Sequence, residues 1–253
     1  MEAEIRSVSV ELSMPTRPDL TPIVERLARL PAAIGRVVLT DNHTATARLS
    51  PLSAIASVLE VGRKCSVCAS TRDRNRLALF AHVTGAVALG ADEIVCVGGD
   101  PVPGIPARDL SVTHLIARAR EWVNPSVRIG AGCAVRLDEA GGPTPLTRRK
   151  LDAGASFLIT QASFDPARAQ AFADTLAAVG AEPVVGVPLV TTPRALAALA
   201  RFAGQPPRWV VELVEAGRGP AVTQRVLEGL AVERTHLYPI GARAWERMGE
   251  VLS

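Results

Sequence analysis

Lys64-Cys65-Ser66-Val67-Cys68-Ala69-Ser70-Thr71-Arg72-Asp73-Arg74-Asn75-Arg76 and, further on, Glu93-Ile94-Val95-Cys96-Val97-Gly98-Gly99-Asp100-Pro101 decide the fold. Each is a short apolar run that ends in a polar cluster. Lys64 to Ala69 and Glu93 to Val97 read as strands, and Leu77 to Leu89 between them has helical periodicity. A strand, a helix and a second strand in this order form a βαβ unit with parallel strands. Both polar clusters then lie just past the carboxyl ends of neighbouring strands, on the rim where α/β proteins bind ligands.

The same alternation extends in both directions. Ile5 to Leu12 alternates as a strand, and Leu20 to Leu30 is helical with Asp19 placed to cap it. Arg36 to Leu39 is a short β run, and Pro51 to Val61 a helix with Pro in its first turn after Ser50. After the central unit come a helix at Ser111 to Trp122, a Gly-rich strand at Val127 to Val135 and a short helix at Thr147 to Ala153, closed by Gly154. Phe157 to Thr160 is a strand. Asp165 caps a helix to Val179, with Pro166 first and Gly180 after it. Pro183 to Val190 and Thr235 to Ile240 are strands; Pro193 to Phe202, Val222 to Leu230 and Arg243 to Leu252 are helices. Trp209 to Glu215 fits either state.

Eight strands, most followed by a helix, require a parallel sheet with right-handed crossovers. In a chain of 253 residues this is the arithmetic of a single-domain (β/α)8 TIM barrel over residues 1–253. An open doubly wound sheet is the alternative, but no GxGxxG follows the first strand. The loops Pro101 to Pro106 and Gly141-Gly142-Pro143-Thr144-Pro145 belong to the ligand-binding rim.

A net charge of +3, from 28 basic and 25 acidic residues, is too balanced to argue for nucleic acid or an anionic membrane surface. The start, Met1-Glu2-Ala3-Glu4, has no basic segment followed by an apolar one, and apolar runs stop short of membrane-spanning length. A cytoplasmic protein is expected, with its four cysteines reduced. Cys65 and Cys68 have CxxC spacing, but residues three apart on a strand face opposite sides. Cys68, Cys96 and Cys133 fall on successive strands. Small buried hydrophobes are the preferred reading, over a metal or cluster site. His43 lies in a loop, His82 and His114 on helices, and His236 opens a strand, so neither a hydrolase triad nor a histidine metal site is supported.

The polar residues at strand ends are therefore the candidates for chemistry: Glu11; Thr40, Asp41 and Asn42; Arg72, Asp73 and Asn75; Gly99 and Asp100; Gln161; and Tyr238. Glu11 stands out because it interrupts the small and apolar run Val8-Ser9-Val10. Facing inward, it would be a carboxyl raised by burial and suited to proton donation; facing outward, an ordinary solvent glutamate. Asp100 serves equally as a turn residue, and Asp73 as a helix cap.

In order and spacing these segments resemble the methylenetetrahydrofolate reductase family over nearly the whole barrel. Val8-Ser9-Val10-Glu11-Leu12-Ser13-Met14-Pro15 is similar to the opening strand that carries the family's proton donor. The resemblance implies catalytic roles for Glu11 and Asp100, the latter beside the flavin pyrimidine and the folate. Val38-Leu39-Thr40-Asp41-Asn42, Thr71 to Arg76 and Gly98-Gly99-Asp100-Pro101 match flavin-contacting segments, which implies cofactor contacts at Thr40, Asp41, Arg72, Asp73, Asn75 and Gly99. The block from Arg149 to Ala155 implies that Lys150 binds flavin phosphate or ribose. Ile159-Thr160-Gln161 implies that Gln161 binds the pterin, and Tyr238 is placed with the substrate.

The implied activity is reduction of a methylene-bridged tetrahydrofolate, or a close pterin analogue, to the 5-methyl form, with NAD(P)H as donor and FAD as cofactor. A homo-oligomer or a redox partner subunit is compatible with it. Several FAD-contacting positions depart from the family pattern: Cys68 replaces a histidine, Ala131-Gly132-Cys133 an aromatic and histidine segment, and Pro143 an acidic residue. These departures leave open bound flavin or hydride passed directly from the nicotinamide. A pterin-binding accessory subunit and a pterin-linked methyltransferase are the alternatives.

Overall fold

A computed structural model describes residues 7–100 and 107–252. Strands β1 (Ser7–Leu12), β2 (Ile34–Leu39), β3 (Lys64–Ser70), β4 (Glu93–Val97), β5 (Arg128–Cys133), β6 (Phe157–Thr160), β7 (Glu182–Val190) and β8 (Arg234–Ile240) close in sequence order, every pair parallel, with β8 against β1. This is a (β/α)8 barrel. The expected residues Ile5, Arg6 and Pro101 to Pro106 lie outside the described residues.

The helices are α1 (Thr21–Ala28), α2 (Ile55–Glu60), α3 (Arg76–Ala88), α4 (Val112–Trp122), α5 (Pro145–Asp152), α6 (Pro166–Ala178), α7 (Pro193–Ala203), α8 (Arg208–Glu215), α9 (Gly219–Glu228) and α10 (Ala242–Glu246). Three differences from the sequence reading, and one segment it left open, have local causes. Pro51–Ala54 is a 3-10 turn leading into α2, so the expected helix from Pro51 to Val61 is split. Asp73 does not cap α3; the Asn75 side chain accepts from the Ala78 N–H at 2.9 Å instead. The ambiguous Trp209 segment is α8, which buries Val210 and Val214, four residues apart as one helix face requires. The final helix is short and gives way to a 3-10 turn at Met248–Glu250.

The main core lies between the sheet and the helices, where outward strand residues such as Val37, Val67, Ile94 and Ile129 meet buried helix residues such as Leu79 and Phe172. Burying such side chains stabilises the fold by roughly 1.5–3 kcal/mol each. Cys65 and Cys96 belong to this outer layer, and burial pushes both thiols up to about 12. A smaller apolar group, Val38, Val95, Phe157, Ile159 and Val184, is packed against by Cys68 on the other face of β3. The two cysteines of the CxxC pair are therefore on opposite faces of their strand.

At the amino ends of the strands the barrel holds charge. The Glu93 carboxylate is fully buried, 3.0 Å from Arg234, 3.3 Å from Arg36 and 3.3 Å from Arg128, and it accepts from Ser66 Oγ at 2.8 Å. Glu182 bonds both Arg128 and Arg234, and Asp92 holds Arg36 through two bonds at 2.6 and 2.8 Å. Arg128 and Arg234 also lie 5.1 and 5.3 Å from the centre of the Phe157 ring. Gly130 makes room for that ring: a Cβ there would come within 2.4 Å of it. Gly130→Ala is expected to cost about 1–3 kcal/mol by overpacking, read as a lower denaturation midpoint at unchanged slope.

Candidate active site

At the carboxyl ends of the strands a cavity of about 490 Å³ opens. This lies within the size range of small-molecule sites. Its wall includes Glu11, Thr40, Asp41, His43, Cys68, Gly99, Asp100, Cys133, Lys150, Gln161 and Tyr238, with an apolar side from Ile159, Ala162, Ala198, Leu199 and Ile240.

Glu11 faces inward. Only 16% of its side chain is exposed, and burial, with Asp100 adding repulsion, raises its carboxyl from 4.5 to about 7. His43 Nε2 lies 3.8 Å from Glu11 Oε1, and burial lowers the imidazole below its ordinary value. The loop Asp41-Asn42-His43-Thr44 brings His43 there through two left-handed residues, Asn42 at φ 50° and Thr44 at φ 59°. Non-glycine residues in that region carry a backbone cost, so the surroundings must hold them. They do: the Thr44 N–H donates to Asp100 Oδ2 at 2.7 Å, and the Arg48 N–H to Asn42 Oδ1 at 3.1 Å. Asp100 thus joins the β2 and β4 rim loops beside Glu11.

Tyr238 projects from β8 and donates its hydroxyl to the Thr160 carbonyl at 2.8 Å. Burial, then the charge of Glu11, pushes its phenol well above the ordinary value. Its ring packs edge-on against His236, centres 4.6 Å apart, and His236 Nδ1 pairs with Ser9 Oγ at 2.9 Å. Lys150 reaches from α5 to the Gly132 carbonyl at 2.6 Å, and burial lowers its ammonium below its ordinary value. Gly99 has φ +77°, and a Cβ there would meet Ser70 Oγ at 2.4 Å, so the β3 and β4 ends approach this closely only with glycine.

Of the candidates read from sequence, Glu11, Thr40, Asp41, Gly99, Asp100, Lys150, Gln161 and Tyr238 meet on this cavity. Arg72, Asp73 and Asn75 do not belong to its described wall. Asp73 pairs with Arg72 at 3.0 Å, and its Oδ1 accepts the Ala107 N–H at 3.3 Å; Asn75 caps α3. Asp41 is at the wall but committed to structure: it binds the Arg74 guanidinium through both oxygens and the Ser70 N–H at 2.9 Å. The residue sequence reasoning missed is His43, read there as an ordinary loop histidine. Its place three residues after Thr40, on the same rim, was the available signal. The α7 side of the wall carried no signal, because Ala198 and Leu199 read as ordinary helix-face residues.

The family model for methylenetetrahydrofolate reductase matches residues 1–226. The chain belongs to the methylenetetrahydrofolate reductase family. Comparison with curated protein sequences gave no match. Among solved structures, an uncharacterized protein from Clostridium thermocellum that binds two copies of 5-methyl-5,6,7,8-tetrahydrofolic acid aligns with a TM-score of 0.72 at 14% identity, covering 98% of this chain and 93% of that one. A tryptophan synthase from M. tuberculosis aligns at 0.51 and 16% identity, over 90% and 94%. At these identities the likeness is one of fold. Membership of the reductase family points to a folate-related function and an oxidoreductase. Among the described residues no helix is long and apolar enough to cross a membrane.

Proposed function

We propose that this protein reduces a methylene-bridged tetrahydrofolate, or a close pterin analogue, to its 5-methyl form with NAD(P)H. The observation that carries this reading is the Glu11 carboxyl, raised to about 7 on the wall of a ligand-sized cavity. Such a group is protonated in a large fraction of molecules near neutrality and suits general acid catalysis. Family membership supports the reading, as does the folate ligand of the Clostridium thermocellum neighbour.

Glu11 donates its proton to N10 of the methylene bridge, and the carbon–N10 bond breaks to leave an N5 iminium. Hydride from the nicotinamide adds to the iminium carbon, giving the 5-methyl product and NAD(P)+. Asp100, close enough to raise Glu11, stabilises the cation that forms. Gln161 holds the pterin edge.

The family implies a flavin, and the residues present do not fit a flavin dinucleotide well. Thr40 Oγ1, buried with no hydrogen-bond partner among the described residues, offers a donor at the wall, and Lys150 a cation. Against them stand Glu11 and Asp100, wall carboxylates where a pyrophosphate would call for cations, while Asp41 is already paired with Arg74; Arg72, Asp73 and Asn75 are not part of the described wall. The hydride then passes directly from the nicotinamide to the substrate.

The test is product analysis with methylenetetrahydrofolate and NADH or NADPH, beside a visible spectrum taken after incubation with FAD or FMN and desalting. One 5-methyl product per nucleotide oxidised, without retained flavin bands, is the expected result. Retained bands that NAD(P)H bleaches would replace direct transfer by a flavin-mediated route. No product under either condition would defeat the reductase reading.

A further inference from the structure

A second cavity, of about 360 Å³, lies on the other side of Glu11 and His43, which with Ile240 line both. Its wall is chemically unlike the first. Arg26 from α1, Arg48 from the loop after β2, and Trp245 from α10 converge on it, with Met14, Pro15 and Ile23 supplying apolar surface. Arg26 stands 5.5 Å from the centre of the Trp245 ring and has no carboxylate partner among the described residues. Burial holds its guanidinium below its ordinary value, so an anion beside it would be favoured. Arg48 uses Nη1 on the Met14 carbonyl at 2.7 Å and Nε on the His43 carbonyl at 3.2 Å, which fixes the guanidinium at the cavity wall.

Two guanidiniums and an indole around an apolar floor suit an aromatic arm that ends in carboxylates. Resting on the proposed function, we infer that the second cavity receives the benzoyl-glutamate arm of the folate, the pterin occupying the first. The position of Glu11 supports the division. N10 is the atom that joins the two halves of that substrate, and Glu11, the proposed proton donor to N10, is the carboxylate lining both cavities. Arg26 and Trp245 are then specificity residues for the arm, and the chemistry stays in the first cavity.

The experiment compares binding of 5-methyltetrahydrofolate, which carries the arm, with 6-methyltetrahydropterin, which lacks it, by calorimetry on the parent protein, Arg26→Gln and Trp245→Leu. Losing a charge-assisted bond should weaken 5-methyltetrahydrofolate by about tenfold in Arg26→Gln and leave 6-methyltetrahydropterin unchanged. In turnover, KM for methylenetetrahydrofolate should rise by a similar factor with kcat and the NAD(P)H KM unchanged. Equal folate binding by the parent and both variants overturns the inference. So does a rise confined to the NAD(P)H KM, which would assign the cavity to the nucleotide. Failure of the parent to bind either pterin compound would instead defeat the folate reading of the first cavity.

Discussion

Glu11→Gln is expected to lose at least about a hundredfold in 5-methyl product formation while still binding 5-methyltetrahydrofolate, because a positioned general acid contributes on the order of 10²–10⁴. Glutamine keeps the shape and can still hydrogen-bond but has no acidic proton to transfer. In the parent, the protonated fraction of Glu11 falls tenfold per pH unit above about 7, and the rate of the proton-dependent step should fall with it. Near-parental rates in the variant would remove Glu11 from the mechanism.

The same substitution has a stability signature that needs no substrate. A carboxyl raised from 4.5 to about 7 binds its proton more tightly in the folded than in the unfolded state. Folding stability contributed by that preference is present at low pH and is lost as pH rises from about 4.5 through about 7. Glutamine does not titrate. The variant should therefore match the parent near pH 4 and exceed it at pH 8, by about 3 kcal/mol at most for a shift of this size. Melting temperatures of both proteins across pH 4–8 measure the gap. A gap that stays constant with pH would mean that Glu11 is not raised.

Glu93→Ala is expected to have the opposite profile, a large loss of stability with the chemistry untouched. Glu93 sits at the amino ends of the strands, away from the ligand cavity, and removing one partner of a buried ionic cluster typically costs about 3–5 kcal/mol. Arg36 would keep Asp92, and Arg128 and Arg234 would keep Glu182, which places the expected loss near about 3 kcal/mol, the lower end. Burial alone would lower the Arg234 guanidinium, but Glu93 and Glu182 more than offset that and leave it raised. Chemical denaturation measures the loss, and kcat below the melting transition should match the parent. A variant as stable as the parent would show that the surrounding carboxylates suffice.

The barrel was legible in sequence because its signal is repeated. Eight apolar runs separated by amphipathic helices allow few topologies once crossovers must be right-handed. Elements whose signal is local and strong, such as β3, β4 and α6, matched closely. The Pro51 helix and the final helix did not, because each gives part of its length to a 3-10 turn, and the Trp209 segment, open in sequence, became helical where α8 buries Val210 and Val214 on one face. Glu11 was identifiable because a single carboxylate interrupts a small and apolar run, and a strand buried on both faces admits such a residue only where it has a use.

Sequence alone determined the fold class, the family resemblance and the strand ends that carry polar residues, since all three depend on periodicity and order along the chain. Tertiary structure decided which of those residues share a wall. Asp41 and Asn75 read as ligand contacts, yet Arg74 and the α3 N-terminus claim their side chains, a competition that exists only once β2, β3 and α3 are packed together. His43, unremarkable in sequence, reaches Glu11 because two left-handed residues turn its loop and Asp100 from another strand holds the turn. The second cavity belongs to the same class of fact: Arg26, Arg48 and Trp245 are far apart along the chain, and only the closure of β8 against β1 brings α1 and α10 to one side of Glu11.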